Sequence, residues 1–246
     1  MGVSLKLVSL NVEYSKHVEP AISFLADRKP DVACIQELYE RDIPRMSEAI
    51  GSSAHFFVPM TLHSTEHPPE AMGIAIFSRH GIAHPRAEYY RGSPDSVPTQ
   101  DPRDAATFNN KNQMMIFGEI EKNGTTFTIG TTHFTWTPDG QPTESQRTDM
   151  RSLLQVLEAA GECVFCGDFN VPRGGELWAM LASRYTDNVP PHYTTSIDGN
   201  LHRRGQLNLM VDGIFSTPRY SVSDFEMVSG VSDHCALVAT VSIAQN

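Results

Sequence analysis

The sequence predicts an α/β protein whose β-sheets pack face to face with helices on the outside. Strands alternate with amphipathic helices from the amino terminus onward, and the middle of the chain holds an antiparallel hairpin with an Asn-Gly turn. A purely parallel, doubly wound sheet fits that hairpin poorly. The stretch that organises the rest is Cys163-Val164-Phe165-Cys166-Gly167-Asp168-Phe169-Asn170-Val171-Pro172, a short apolar run ending in glycine, a carboxylate and a carboxamide. A strand that releases Asp168 and Asn170 at its carboxyl end suits chemistry, because the strand holds the backbone while the polar side chains reach beyond the core. Read alone, the same pair serves equally well to tie down a turn.

In chain order, residues 5–12 read as a strand with Asn11 near its exit. Val18, Ala21, Ile22 and Leu25 then fall at helical spacing, and Pro30 ends that helix. Residues 31–35 form a second buried strand that delivers Gln36 and Glu37. Ile43, Met46 and Ile50 mark a short helix before Gly51. Residues 54–60 and 73–78 read as consecutive strands, separated by a loop with His63, His67 and Glu70 that is expected to be solvated rather than a metal site. Arg79 follows the second of these strands. Residues 85–112 are polar and hold Pro94, Pro98 and Pro102, which reads as a surface excursion shaping a cleft, with room in it for short strand or helix that the pattern does not place. Gln113–Ile120 and Thr125–Thr132 flank Lys122-Asn123-Gly124 as the hairpin, and the return strand delivers His133. Residues 143–157 and 174–181 read as helices, and residues 163–166, 209–215, 220–228 and 236–243 as strands. Asp212 interrupts one of these strands, and Ser232-Asp233-His234 precedes the last.

The chain of 246 residues, 40% of them hydrophobic, is long enough for a large core, and the absence of a composition break or repeat predicts one domain over 1–246. Nineteen basic against 29 acidic residues give a formal charge of -10, which disfavours a broad basic surface for nucleic acid. A phosphate substrate is compatible with that balance when metal ions and a few arginines supply positive charge. Four cysteines do not make a disulfide scaffold. Cys163 and Cys166 have redox-pair or zinc-pair spacing but sit in an apolar strand without a second ligand pair, so they read as inert buried thiols. The amino terminus enters a strand pattern at once, so no signal peptide is expected, and Lys6 stands where a myristoylation signal needs Ser or Thr. No run approaches membrane-spanning length. A reducing, cytoplasmic setting is the expectation.

Asn11, Glu37, His133, Asp168, Asn170, Asp212, Asp233 and His234 all fall at or near predicted strand ends. Each could be structural; gathered together, they predict a single cleft at one rim of the sheets. Carboxylates and carboxamides are hard oxygen ligands suited to Mg²⁺ or Mn²⁺, and no tight Cys/His cluster argues for zinc.

Taken in order, Leu10-Asn11, Gln36-Glu37, Thr132-His133, Gly167-Asp168-Phe169-Asn170, Val211-Asp212-Gly213-Ile214-Phe215 and Ser232-Asp233-His234 resemble the signatures of the endonuclease/exonuclease/phosphatase superfamily, the DNase I-like fold. The resemblance spans residues 10–234. It implies a four-layered α/β sandwich, with two mainly antiparallel sheets inside and helices outside, and metal-dependent cleavage of a phosphate ester. It implies Glu37 as principal metal ligand, Asn11 beside it at metal or phosphate, and Asp233 assisting the metal site or polarising its neighbour. Asp168 would orient or deprotonate the attacking water, and Asn170 would hold a phosphate oxygen. Asp212 would pair with His234, His133 would supply the second imidazole, and Glu70 resembles the acid that some family nucleases place behind that second histidine.

The family's substrates range from duplex DNA to inositol phosphates and sphingomyelin, and the shared core does not separate them. The leading expectation is a phosphodiesterase acting on a nucleic acid or nucleotidic ester. A phosphomonoesterase acting on a sugar or inositol phosphate at the same site competes with it, and a noncatalytic interaction domain is the contrasting reading. Arg79 is expected either to bind phosphate or to pair on the surface. Arg86, Arg91, Arg103 and His202-Arg203-Arg204 could be phosphate contacts or solvated loop charges. Tyr89, Tyr90 and Trp136 could stack a base or simply pack.

Overall fold

The computed structural model describes residues 2–245. Strand β1 (Ser4–Asn11), helix α1 (Val18–Arg28) and strand β2 (Val32–Tyr39) form the opening unit, with β1 and β2 parallel. Helix α1 closes on Lys29, whose left-handed backbone returns its N–H to the Leu25 carbonyl before Pro30. There follow α2 (Ile43–Ile50), β3 (Ala54–His63), β4 (Glu70–Ser78), β5 (Ala83–Arg91), β6 (Thr99–Gln100), β7 (Gln113–Lys122) and β8 (Thr125–His133). The carboxyl-terminal part holds α3 (Glu144–Ala160), β9 (Val164–Asp168), α4 (Glu176–Ala182), β10 (Thr186–Asp187), β11 (Asp212–Ser216), β12 (Tyr220–Val228) and β13 (Ala236–Ile243).

A seven-stranded sheet runs β12-β13-β1-β2-β4-β3-β6, and a six-stranded sheet runs β10-β11-β9-β8-β7-β5. Both are mixed, and most neighbours are antiparallel. Period-two alternation sorts the side chains into layers. Leu5, Leu7, Val32 and Cys34 point between the sheets, where they meet Ile116, Ile129, Val164 and Cys166. Val8, Leu10, Ala33 and Ile35 point outward against Leu25 of α1 and Met46 of α2. On the far side Phe165 and Phe215 stack at 5.4 Å under Leu153 of α3 and Trp178 of α4. This is the expected α/β sandwich, helices–sheet–sheet–helices. Burial on both faces explains why its central strands read as continuous apolar runs. No helix among the described residues is long and apolar enough to cross a membrane.

Two expectations need correction. Residues 85–112 are not all excursion, because β5 pairs with β7 as the edge of the six-stranded sheet. This edge strand is only partly buried and opens on the exposed Ala83, His84 and Pro85, and Pro85 falls in the register shift between Ala83 and Arg86, where its missing N–H costs no ladder bond. His63 is not a solvated loop residue. It ends β3 as the Cα partner of Glu70, is fully buried, and shares a 2.8 Å hydrogen bond with the Tyr39 hydroxyl.

Candidate active site

Strand register, more than loop conformation, assembles the site. β8 and β9 are parallel with His133 opposite Asp168, while β11 and β9 are antiparallel with Asp212 opposite Asp168. Three side chains far apart in sequence are thereby set in one row. Gly167 permits that row: its φ is +139°, and a Cβ there would collide with the Thr132 carbonyl oxygen. In the other sheet Asn11 of β1 lies opposite Gln36 of β2. The β2 register against β4 then shifts between Ile35 and Leu38, and Glu37 takes a left-handed φ of +56°. Such a bulge re-aims a side chain, and a non-glycine residue accepts this backbone only where the surroundings impose it. His234 is held from a third side by an isolated bridge to Ile197.

Asp168 is the hub. Its Oδ2 accepts a hydrogen bond from Asn11 Nδ2 at 3.2 Å, and it stands 3.6 Å from His133 Nε2 and 3.9 Å from His234 Nε2. Its Oδ1 accepts from the Asn170 amide at 2.8 Å. Glu37 Oε1 lies 3.3 Å from the same His133 nitrogen, and His234 Nδ1 lies 2.7 Å from Asp212 Oδ2. Asn170 donates one amide N–H to the Phe134 carbonyl (2.9 Å), which leaves its second for a ligand. Asp233 is buried at the same rim, with the Ser232 hydroxyl donating to it at 3.2 Å.

Burial and crowding set the charges. Burial, followed by the neighbouring carboxylates Asp233 and Asp168 acting against Lys111, pushes Glu37 up to about 7. Burial likewise pushes Asp168 up to about 7, with Asp212 adding to the rise and His234 opposing it. Burial also works against a charge on His234, but Asp212 and Asp168 outweigh it and hold that imidazole well above its usual range. His133 is driven the other way, first by burial and then by the positive charges of Lys111 and His234. One imidazole is thus prepared as a cation and the other as a neutral group.

The donor chemistry fits a divalent cation. Asp168, Asp212 and His234 place potential ligand atoms within 4.8 Å of one another, as do Glu13, His17 and Asp233. The inner end of the cleft is rich in carboxylate oxygen and has a single buried lysine, which suits a hard cation. The two clusters are only partly free for the task. His234 is already bound to Asp212, and Glu13 is bound to Lys16 and His17. Glu37 belongs to neither cluster, although it is crowded by Asp168 and Asp233.

The structure therefore brings together Asn11, Glu37, His133, Asp168, Asn170, Asp212, Asp233 and His234, and it places Arg79 elsewhere. Arg79 is exposed just after β4, and β4 runs antiparallel to β2. It emerges beside Asp31 at the start of β2, on the rim opposite Glu37. Glu70 is also misplaced as a partner for His133: it accepts the Arg41 backbone N–H at 3.1 Å, and His133 Nδ1 has no hydrogen-bond partner. Arg91 is paired with Asp149, Arg103 with Asp101, and Arg86 lies over Phe117. Tyr90 packs inside and bonds Thr132, while Tyr89 packs against the core. Trp136, His202, Arg203 and Arg204 do line the cleft, which encloses about 490 Å³.

Lys111 is the functional candidate that the sequence reading missed. It is 5% exposed, forms no ion pair among the described residues, and faces Glu37 and Asp168. Burial lowers its affinity for a proton, and those two carboxylates restore part of it. The available signal was Lys111-Asn112-Gln113 immediately before an apolar strand. β7 runs antiparallel to β8, so the amino end of β7 shares a rim with His133 at the carboxyl end of β8.

Comparisons with known proteins bear on the fold and on the family. No curated protein sequence matches the chain. Among solved structures, an endonuclease/exonuclease/phosphatase from Beutenbergia cavernae DSM 12333 superposes with a TM-score of 0.74 at 15% identity, covering 98% of this chain and 72% of its own. The human Nocturnin catalytic domain with bound sulfate anion gives 0.70 at 17% identity, covering 99% and 97%. A mannosyl-6-phosphatase from Bacteroides thetaiotaomicron VPI-5482 gives 0.68 at 15%, covering 98% and 100%. At such identities these likenesses concern the fold. The sequence pattern of the Endonuclease/Exonuclease/phosphatase family matches residues 8–234, so the chain belongs to that family of phosphoesterases.

Proposed function

We propose that the protein is a Mg²⁺-dependent phosphodiesterase, with Mn²⁺ as the alternative ion, that hydrolyses a nucleotidic or nucleic-acid ester by attack of an activated water. The observation that carries this reading is the convergence on Asp168 Oδ2 of Asn11 at 3.2 Å, His133 at 3.6 Å and His234 at 3.9 Å, with Glu37 3.3 Å from His133. Glu37, Asn11 and Asp233 are the residues assigned to hold the ion. When bound, it would supply charge compensation for the phosphate oxygens.

Asp168 orients the water and takes its proton, a role favoured by an affinity raised towards neutrality. Asn11 holds the Asp168 carboxylate in place through the 3.2 Å bond. His234, kept cationic by Asp212, donates to an oxygen on phosphorus as negative charge builds there. His133 remains neutral and presents Nε2 between Glu37 and Asp168 as a hydrogen-bonding group. The second amide N–H of Asn170 and the ammonium of Lys111 complete the phosphate cradle. The four free, buried cysteines support a reducing, cytoplasmic setting as part of this reading.

The test compares bis-p-nitrophenyl phosphate with p-nitrophenyl phosphate under Mg²⁺. The expected result is preferential turnover of the diester, abolished in Glu37→Ala. Preference for the monoester would turn the reading to a phosphomonoesterase. No turnover of either ester would leave a noncatalytic domain.

A further inference from the structure

The buried end of the cleft is lined by carboxylates with Lys111 among them, and its exposed end by two arginines and Asp139. Glu37, Asp168 and Asp233 line the inner end, whereas Arg203 and Arg204 stand at the mouth. Arg91, Arg147 and Arg173 are each bound to carboxylates. Arg203 and Arg204 have no such partner within 4.0 Å among the described residues, although the chain carries an excess of acid.

Both arginines are positioned by other contacts. Arg204 donates to the Pro138 carbonyl at 3.1 Å, which ties the segment before β11 to the loop after β8. The Arg203 guanidinium lies 5.5 Å from the Phe108 ring centroid. Phe108 meets Trp136 edge to face at 5.1 Å, and Asn109 fastens the Trp136 carbonyl at 3.0 Å. The mouth thus joins two uncompensated guanidinium groups to a fixed aromatic wall. Guanidinium forks match phosphate oxygens in pairs, and an aromatic face accepts a flat ring. A cleft of about 490 Å³ is the size of a small-ligand site and has walls on several sides.

We propose that this mouth is a second anion subsite, and that it selects nucleotide-sized phosphate esters bearing a second phosphate beyond the one that is cleaved. The proposal rests on the phosphoesterase reading and adds to it the chemistry of the far end of the substrate. The reacting phosphate sits at the acidic inner end, the second phosphate meets Arg203 and Arg204, and the base lies against Trp136.

The test uses two matched substrates, thymidine 5′-(p-nitrophenyl phosphate) with and without a 3′-phosphate, and follows p-nitrophenolate release under Mg²⁺. The expected result is that the 3′-phosphate raises kcat/KM about tenfold or more in the wild type, the scale of one charge-assisted contact. In the Arg203→Ala/Arg204→Ala variant that ratio falls to near one, with a circular dichroism spectrum matching the wild type. Trp136→Ala raises KM for both thymidine esters by a similar factor, because the base is common to them. A ratio near one in the wild type, a ratio that survives the double substitution, or a KM indifferent to Trp136 would each overturn the subsite. Absence of Mg²⁺-dependent turnover of every ester, bis-p-nitrophenyl phosphate included, would instead remove the phosphoesterase reading beneath it.

Discussion

Two carboxylates at opposite ends of β2 show how the same residue class is used in contrary ways. Asp31, just before the strand, is partly buried yet held below the usual carboxylate range. Burial pushes it up, but hydrogen bonds from Lys122 (2.7 Å), His80 (2.6 Å) and the Lys6 amide (2.8 Å) prevail. Glu37, near the other end, is raised to about 7, because burial is joined by Asp233 and Asp168. At one rim Asp31 is matched by donors and contributes to stability. At the other, acids crowd together at a cost that a bound cation would relieve.

Exchanging the neutral and charged forms at each end should separate the two rims. Glu37→Gln should lower turnover of bis-p-nitrophenyl phosphate by about a thousandfold, the scale of a lost electrostatic centre, while the melting temperature holds or rises. A large fall in melting temperature would mean that Glu37 is structural. His234→Asn should cost about a hundredfold or more, and Asp212→Asn somewhat less, because Asp212 acts through the imidazole. Equal stability with unaltered rates in both variants would detach the pair from the chemistry. Lys111→Met should act mainly on KM, by about tenfold, and an effect confined to kcat would place the ammonium at the reacting oxygens instead.

The Asp31 rim should respond only in stability. Asp31→Asn should cost about 1–3 kcal/mol in urea unfolding near neutral pH, with turnover retained. Because the folded affinity of Asp31 for protons is depressed, its contribution is fully present above the unfolded value of about 3.9 and is lost as pH falls through the folded one. The gap between wild type and variant should therefore close in acid, and a gap that widened there would overturn the assignment. Arg79→Ala is the smallest change, within about 0.5 kcal/mol and without effect on rate. A KM defect in that variant would contradict its position on the far rim.

The part of the site that was legible from sequence is the part built by strand ends. Asp168, Asn170, Glu37 and Asp212 each follow or interrupt an apolar run, and that switch from apolar to polar is visible in one dimension. Direction is not. Arg79 satisfies the same rule as Glu37, but β4 runs antiparallel to β2 and delivers it to the wrong rim. Lys111 fails the rule because it precedes its strand, yet the hairpin reversal brings it to the cleft. The strand β5 was hidden for a different reason: an edge strand solvated on one face lacks the apolar signature of a central one. Residues 188–211 hold no helix or regular strand, and their contribution to the cleft wall, Arg203 and Arg204 included, follows from tertiary contacts alone.

Asn11 and Glu37 ride on the seven-stranded sheet, whereas His133, Asp168 and Asp212 ride on the six-stranded one. The centre is therefore split across a seam, and its alignment is inherited from the apolar filling between the layers. A displacement of about 1 Å in a catalytic group can cost about a hundredfold in rate. Trimming Ile74 or Ile129 deep in that filling should thus lower the melting temperature and, in the protein that is still folded, lower turnover as well, because the layers that carry the two halves of the centre lose their packing against each other.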